Sequence, residues 1–323
     1  MIEPVVSIIM PVYNESAFID ICMESLMKQT YPKDKMEWII IDGISTDDTV
    51  EKLKKYSDYI NLHILKNEKR LVTYALNIGI QHACGKYIIR MDAHAEYAED
   101  YIEKCIYYLE HTDADNVGGI AFTEGKGFVG KANSEILSSK FGVGNSKFRT
   151  ECKSGYVDTV PFGAFRREIF DRIGLFDPEL PRSEDGDFNS RIRSNGGKVF
   201  LASDIQFTYY CRNTVKGLLS QAIKNGNALF LTFRKNPKAM SLRHYIPFLF
   251  VMSLVVLPII SIFLPFFRWI LAAEAVVYFL FDLFFCLKCS KRAYFFYKLI
   301  MYLVFHISYG LGSLLGLLNI KLY

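Results

Sequence analysis

The sequence predicts an α/β domain with a mostly parallel sheet, followed by an interfacial helix and about three transmembrane helices. Three patterns carry this. Short apolar runs alternate with amphipathic stretches as far as Met91, the order expected of a doubly wound sheet. No Asp or Glu occurs between Asp204 and Glu274, whereas Arg212, Lys216, Lys224, Arg234, Lys235, Lys238 and Arg243 fall inside that interval. Long apolar runs follow Arg243.

Residues 5–11 read as a buried first strand, and Phe18, Ile19, Cys22, Leu26 and Met27 then recur at helical spacing. Pro32 cannot continue that helix. Residues 38–42 form a second strand. In the loop behind it Ser45 or Thr46 can cap the next helix, with Asp47 and Asp48 complementing its dipole. A third strand covers residues 61–65, and the helix at 71–84 is closed by Gly85 as a C-cap. Residues 87–91 are a fourth strand, which stops at Asp92-Ala93-His94.

This order puts three loops on one rim of the sheet: residues 11–15, 42–46 and 92–96. In open α/β sheets that rim takes ligands. Asp92 and His94, two apart on one turn, can share a divalent cation that also holds a diphosphate. The other reading makes Asp92 a helix cap and His94 a surface histidine. Neither a P-loop nor a dinucleotide fingerprint occurs.

Later elements are looser. A helix runs to about His111, and residues 157–165 form a strand and turn in which Gly163 lets backbone approach a ligand closely. Arg182-Ser183-Glu184-Asp185-Gly186-Asp187 opens another helix. Such a charge cluster is ordinarily a solvated helix start, but an aspartate there that faces a cleft suits a general base. Both readings stay open on local sequence.

The net charge of +4 says little about partners, but its distribution does. A basic stretch leading into apolar sequence fits an anionic membrane surface and not nucleic acid. The seven scattered cysteines (Cys22, Cys84, Cys105, Cys152, Cys211, Cys286 and Cys289) read as reduced, and Cys286-Leu-Lys-Cys289 has no second pair to make a metal site. Met1-Ile2-Glu3-Pro4 carries no basic region before an apolar core, so no cleaved signal is expected.

From Thr214, apolar residues fall on one helical face with Lys216, Lys224 and Asn225 opposite, as in a helix lying in a membrane interface. Residues 246–267 hold no charge and span roughly 33 Å as a helix, against a hydrocarbon core of about 30 Å. Pro258 is expected to kink this span. Residues 269–287, interrupted by Glu274 and Asp282, and residues 299–319, containing His306, are the second and third spans. Glu274 and Asp282, eight apart, can share a face and line a polar groove, or lie at the interfaces or against a partner helix; no role is assigned to them or to His306. The basic loop at Lys288, Lys291 and Arg292 then places the main domain on the cytosolic side of a cytoplasmic, multi-pass membrane protein. A transporter is excluded by three spans without an internal repeat.

The motifs Val6-Ser-Ile-Ile-Met-Pro-Val-Tyr-Asn-Glu15, Ile41-Asp-Gly-Ile-Ser-Thr-Asp-Asp-Thr49, Arg90-Met-Asp-Ala-His94 and Glu184-Asp185 resemble the successive signatures of family 2 glycosyltransferases of GT-A fold. The runs Asp115-Asn-Val-Gly-Gly119, Phe141-Gly-Val-Gly-Asn145 and Asp158-Thr-Val-Pro-Phe-Gly-Ala-Phe-Arg-Arg167 resemble its succinoglycan and exopolysaccharide branch. The resemblance covers residues 5–235.

It implies a GT-A catalytic domain, set at 1–213; the charge and apolar patterns above set a basic interfacial segment at 214–243 and a transmembrane region at 244–323. It implies further that Asp92 and His94 are a D-x-D element binding Mg²⁺ or Mn²⁺. Histidine stands in the usual place of the second aspartate. Pro11, Tyr13, Glu15, Asp42 and Asp92 would bind the nucleotide sugar. Asp185, beside Glu184, would take the acceptor proton in an inverting transfer of one sugar, glucose by analogy, from a UDP-sugar to a lipid-linked (polyprenyl-diphosphate) saccharide. Other polysaccharide-assembly proteins are the implied partners.

Two departures matter. Gly43 follows Asp42 where a second acid is frequent. The processive Q-x-x-R-W appears as Gln221-Ala-Ile-Lys224-Asn225, which implies single addition and leaves Gly163, Gln221 and Lys224 as candidate acceptor or diphosphate contacts. Alternatives are transfer to a free polyprenyl phosphate, and a non-catalytic membrane assembly subunit. Intact Asp92, His94 and Asp185 weigh against the latter.

Overall fold

The structure, a computed structural model, describes residues 4–151 and 153–322; Met1 to Glu3, Cys152 and Tyr323 lie outside the described residues. Two compact units emerge: residues 1–122 with 151–210, and residues 123–150 with 211–323.

In the first unit β1 (Val6–Val12), α1 (Ile19–Met27), β2 (Met36–Asp42), α2 (Thr49–Lys54), β3 (Leu62–Lys66), α3 (Val72–His82) and β4 (Tyr87–Arg90) alternate strand and helix. β5 (Ala95–Tyr97), α4 (Tyr101–His111) and β6 (Asn116–Glu124) follow. The chain passes through α5 (Gly127–Leu137), α6 (Lys140–Val143) and α7 (Lys147–Thr150) of the second unit, then returns as β7 (Gly155–Tyr156), β8 (Ala164–Arg166), α8 (Glu168–Ile173), α9 (Glu184–Ser194) and β9 (Val199–Tyr210).

The sheet order is β3-β2-β1-β4-β8-β6-β9-β5, with β7 on β9. β3, β2, β1 and β4 pair in parallel. β8 runs antiparallel to both β4 and β6, and β5 and β7 run antiparallel to β9. The sheet is therefore mixed, the curled arrangement of GT-A domains. Parallel pairing of neighbours needs a helical crossover between them, and α1, α2 and α3 supply one between each successive pair of β1 to β4. β1 and β2 are almost wholly buried, as continuous apolar runs in a parallel sheet should be.

Gly85 does not cap a helix. α3 ends when Ala83 turns extended, and the Gly85 N–H donates to Ser7 Oγ at 2.8 Å. Ser7 Oγ in turn donates to Glu37 Oε1 at 2.5 Å, and the Cys84 N–H reaches the same oxygen at 2.6 Å. Glu37, 4% exposed, is thus a buried carboxylate satisfied by this turn. A Cβ on Gly85 would stand 2.7 Å from Ser7 N, so only glycine fits. Neither Ser45 nor Thr46 caps the next helix: its N-cap residue is Asp48, without a side-chain cap bond, and Asp47 just before it accepts the Thr49 N–H at 3.1 Å.

The second unit adds α10 (Val215–Lys235), α11 (Leu242–Phe263), α12 (Phe267–Cys286) and α13 (Tyr294–Leu317) to α5–α7. The last three helices are long and apolar enough to cross a membrane. α10 packs backbone-to-backbone on α13. A Cβ at Gly226 would meet Tyr309 O at 1.9 Å, and one at Gly312 would meet Ile223 O at 2.1 Å. This is small-residue packing of the kind membrane helices use. Fully buried Asn227 donates to Ile320 O at 2.8 Å, and Arg234 reaches Leu317 O at 2.7 Å beyond the end of α13.

Glu274 and Asp282 do not share a groove: Glu274 accepts from Ser253 of α11, while buried Asp282 accepts from Cys286. Pro258 and Pro247 both lie within α11, which runs unbroken. The six described cysteines are free.

Replacing Gly85 by Val should destabilise the first unit by about 1–3 kcal/mol through overpacking. A lowered melting temperature of the detergent-solubilised protein would record it.

Candidate active site

Three loops leave the carboxyl ends of β1, β2 and β4, whose parallel registers bring Val12 opposite Asp42 and Ile9 opposite Arg90. The first two loops are stitched together. The Asn14 N–H donates to Ser45 Oγ at 2.9 Å, Asn14 Oδ1 accepts the Thr46 N–H at 2.8 Å, and the Glu15 N–H donates to Thr49 Oγ1 at 2.8 Å. Asn14 and Ile44 take positive φ to make these turns.

A cavity of about 170 Å³ opens on this rim, lined among others by Pro11, Tyr13, Glu15, Arg70, Arg90 and Asp92. Asp42 is not in its wall. It is 7% exposed, and both its carboxylate oxygens accept the Ser45 N–H, at 3.1 and 3.2 Å; Gly43 takes its place in the lining. Arg70 comes from the loop after β3. Its guanidinium lies 5.6 Å from the centre of the half-exposed Tyr13 ring, and its φ of 57° is strained for a side-chain-bearing residue.

The turn after β4 is cinched by Tyr97, whose hydroxyl accepts the Asp92 N–H at 2.7 Å. His94 Nδ1 lies 2.7 Å from Asp92 Oδ1 and 3.4 Å from Glu15 Oε1, with its ring edge-on to Tyr209. Burial by itself lowers the His94 pKa, but the carboxylates of Asp92 and Glu15 overcome it and hold the imidazole charged, well above its ordinary value. Burial likewise pushes Asp92 up, and His94 and Arg90 bring it below the usual carboxylate range.

Nδ1 of His94 is buried without a well-aligned hydrogen bond and lies 2.7 Å from Asp92 Oδ1, so an imidazole nitrogen and a carboxylate oxygen stand side by side. Among the described residues no cluster of three His, Cys, Asp or Glu side chains makes a complete cation cage. Two protein ligands completed by phosphate oxygens and water are the usual holding of a nucleotide-bound divalent ion. The residues fit such an ion, whose charge would displace the His94 proton as it bound, and neutral imidazole suits Mn²⁺ better than Mg²⁺.

Arg90 joins this cavity to α9. Its Nη2 lies 2.8 Å from Glu184 Oε1, and its Nη1 bonds Asp185 Oδ1. Ser183, in left-handed conformation, turns the chain so that both acids enter the first helical turn facing the guanidinium. Burial raises the Asp185 pKa. Arg90 opposes, but one cation is shared between two carboxylates, and Glu184 and Asp92 push the same way as burial, leaving Asp185 at about 6.

The family model for glycosyl transferase family 2 matches residues 7–174, over half of the chain. The chain belongs to glycosyl transferase family 2. Its activity class is therefore glycosyl transfer. One relative, the dolichyl N-acetyl-α-D-glucosaminyl phosphate 3-β-D-2,3-diacetamido-2,3-dideoxy-β-D-glucuronosyltransferase of Methanococcus voltae, is 31% identical over 71% of this chain and 74% of its own. The succinoglycan biosynthesis protein ExoA of Rhizobium meliloti is 28% identical over 74% and 73%. Among solved structures, a mannosyltransferase of Pyrobaculum calidifontis in complex with GDP-Man and Mn²⁺ covers 98% of this chain and 88% of its own, with 18% identity and a TM-score of 0.67.

In this glycosyltransferase the fold brings Pro11, Tyr13, Glu15, Asp92 and His94 together and ties Glu184 and Asp185 to them through Arg90. Gly163 lies elsewhere: its carbonyl accepts the Arg90 N–H at 3.0 Å, and a Cβ there would collide with Asn116 at 2.1 Å. Gln221 and Lys224 belong to α10 of the second unit, Gln221 with a buried, unbonded Oε1 and Lys224 on an open hollow with Lys216 and Leu219.

Sequence reasoning missed Arg70 and Arg90. Both had a signal: Lys69-Arg70 sits on the same rim just before a helix, and Arg90 is a lone cation ending an apolar strand.

A carboxylate held near 6 instead of its ordinary value loses folding stability as it ionises. That contribution is absent below about pH 4, where the folded and unfolded groups are both protonated, and is complete above pH 6. The melting temperature of Asp185→Asn relative to the parent should therefore rise between pH 4.5 and pH 7 in thermal scans, on top of a pH-independent loss from leaving Arg90 to Glu184 alone.

Proposed function

We propose that the chain is an inverting, metal-dependent glycosyltransferase that moves one sugar from a UDP-sugar to a lipid-linked saccharide, on a polyprenyl-diphosphate carrier, in exopolysaccharide or cell-surface polysaccharide synthesis. The observation that carries this is that two residues in the wall of the rim cavity bring the rest with them: Asp92 pairs with His94, and Arg90 holds Asp185. The M. voltae and R. meliloti relatives, named for a dolichyl-phosphate substrate and for succinoglycan synthesis, support the lipid-linked acceptor and the pathway class. Glucose is the first donor to test.

Tyr13 and Arg70 offer an aromatic face and a cation to the nucleotide, and the stitched loops hold Glu15 beside His94. Asp92 and His94 would hold Mn²⁺ or Mg²⁺; the P. calidifontis neighbour was solved with Mn²⁺. The bound ion would stabilise charge on the departing diphosphate. Asp185 takes the proton of the acceptor hydroxyl as its oxygen bonds to the anomeric carbon, and the nucleoside diphosphate leaves from the opposite side with the bonding pair. Arg90 keeps Asp185 oriented, and Glu184 keeps Arg90 from neutralising it fully.

Residues 1–213 act as the catalytic domain, 214–243 as a basic interfacial segment and 244–323 as the membrane region. Lys288, Lys291 and Arg292, between α12 and α13, support a cytosolic catalytic domain on the cytoplasmic membrane.

The decisive assay is sugar transfer or hydrolysis of several UDP-sugars by the detergent-purified protein with Mn²⁺ or Mg²⁺. Asp185→Asn should lower kcat by about 10²–10⁴-fold while Mn²⁺-dependent UDP binding persists. Asp92→Ala should lose that binding. Absence of any metal-dependent nucleotide binding in the parent protein would overturn the proposal.

Two further outcomes are expected. Activity should fall as pH drops through about 6, because the base must be unprotonated, and a pH–rate profile reads this directly. His94→Asp should remain active and shift its preference from Mn²⁺ towards Mg²⁺, seen as a several-fold change in the ratio of rates with the two ions.

A further inference from the structure

Within the second unit lies a cavity of about 280 Å³, larger than the one at the catalytic rim. Its wall is assembled from α6 and the residues after it, the first turns of α11, Tyr278 of α12 and the middle of α13. One side is apolar and buried: Phe305 is 6% exposed, with Pro247 and Phe250 beside it. The other side carries two cations, exposed Lys140 and half-buried Arg243, whose Nη1 also reaches Asn145 Oδ1 at 3.2 Å, with His244 beside them. No Asp or Glu is in the lining. At the inner end Tyr278 and His306 satisfy one another at 2.9 Å, and His306 Nε2 meets Phe141 O at 2.9 Å, so no buried polar group there requires water.

This division matches one ligand chemistry. Arg243 stands in the first turn of a helix long and apolar enough to cross a membrane, the level at which lipid head groups lie. Ile246 and Leu249, on the following turn, are exposed apolar side chains that would face acyl chains. Gly144, at φ 66°, lets the loop after α6 close against Arg243, whose side-chain carbons lie 2.9 Å from where a Cβ would stand. An occupant must therefore carry an anion at the cationic side and a narrow hydrocarbon chain inside.

We propose that this cavity seats the phosphate and the first isoprene units of a polyprenyl-phosphate-linked acceptor. The proposal rests on the lipid-linked acceptor reading above. The rest of the chain would run out past Ile246 into the bilayer. Phe141, far from the membrane helices in sequence, joins the wall through its ring, which packs against Tyr278, Tyr302 and His306.

Native mass spectrometry of the full chain in detergent tests it. The probe is undecaprenyl phosphate, compared with undecaprenol, phosphatidylglycerol and inorganic phosphate, and Mn²⁺-dependent UDP binding is measured on each sample. Undecaprenyl phosphate should remain bound, undecaprenol about tenfold less and inorganic phosphate not at all. Lys140→Glu with Arg243→Glu, and separately Ile246→Trp to fill the cavity, should each cut occupancy about tenfold and leave UDP binding unchanged. Unchanged lipid occupancy in both variants, or equal retention of phosphatidylglycerol, overturns the proposal while leaving the transferase standing. Loss of UDP binding in the parent protein overturns the transferase reading itself. If a variant loses UDP binding through misfolding, photo-crosslinking decides: a diazirine-bearing polyprenyl phosphate should label residues 140–144 or 243–250 of the parent protein, and labelling confined to other segments overturns the site.

Discussion

The first unit is arranged around a buried guanidinium. Arg90 ends β4 at 6% exposure, where an unpaired cation would cost several kcal/mol. Glu184 and Asp185 are what make that position tolerable, and they must arrive from a helix ninety-odd residues later. Ser183 takes a strained left-handed conformation to deliver them. The same pairing sets the chemistry. One positive charge divided between two carboxylates leaves Asp185 short of full compensation, so burial lifts it towards neutrality. A second arginine in place of the sharing would hold the acid ionised.

Strand direction does the remaining positioning. The parallel half of the sheet aligns the ends of β1, β2 and β4, and side-chain hydrogen bonds between the loops make the first two one rigid rim. The antiparallel half turns the chain back at once: β5 pairs with β9 directly after His94, so Tyr209 comes to lie edge-on to the imidazole. Tyr97, on β5, holds the Asp92 backbone. A continued parallel sheet would have carried residues 95–97 away on a crossover helix and left the Asp92-x-His94 turn unsupported.

The second unit follows membrane rules. α11 and α12 keep most of their surface outside the protein, whereas half of the most apolar window of α13 is buried. That difference comes from Gly226 on α10 and Gly312 on α13, which allow backbones to touch, and from polar ties such as Glu135 to Lys298 at 2.8 Å and Tyr302 to Ser139 at 2.8 Å. α10 is therefore committed to α13 along the face carrying Leu218, Ala222, Gly226 and Leu229, and what it can lay on a lipid surface is the remainder.

The sequence alone determined the alternation of β1 to β4 with their helices, because a buried parallel strand must be a continuous apolar run and a crossover helix must be amphipathic. It also determined the three apolar spans, through length and charge, and the rim loops that carry Asp92, His94 and Glu15. Motifs carried the family. It could not determine the antiparallel half, whose short strands β5, β7 and β8 have too few residues to show a period, nor that Gly85 serves a buried Ser7–Glu37 pair instead of a helix end. The withdrawal of Asp42 into its own turn, the entry of Arg70 and the sharing of Arg90 between Glu184 and Asp185 were likewise decided by tertiary structure. Each depends on which side chains meet across large sequence separations, and that is a property of packing and shared charge, which local spacing does not encode.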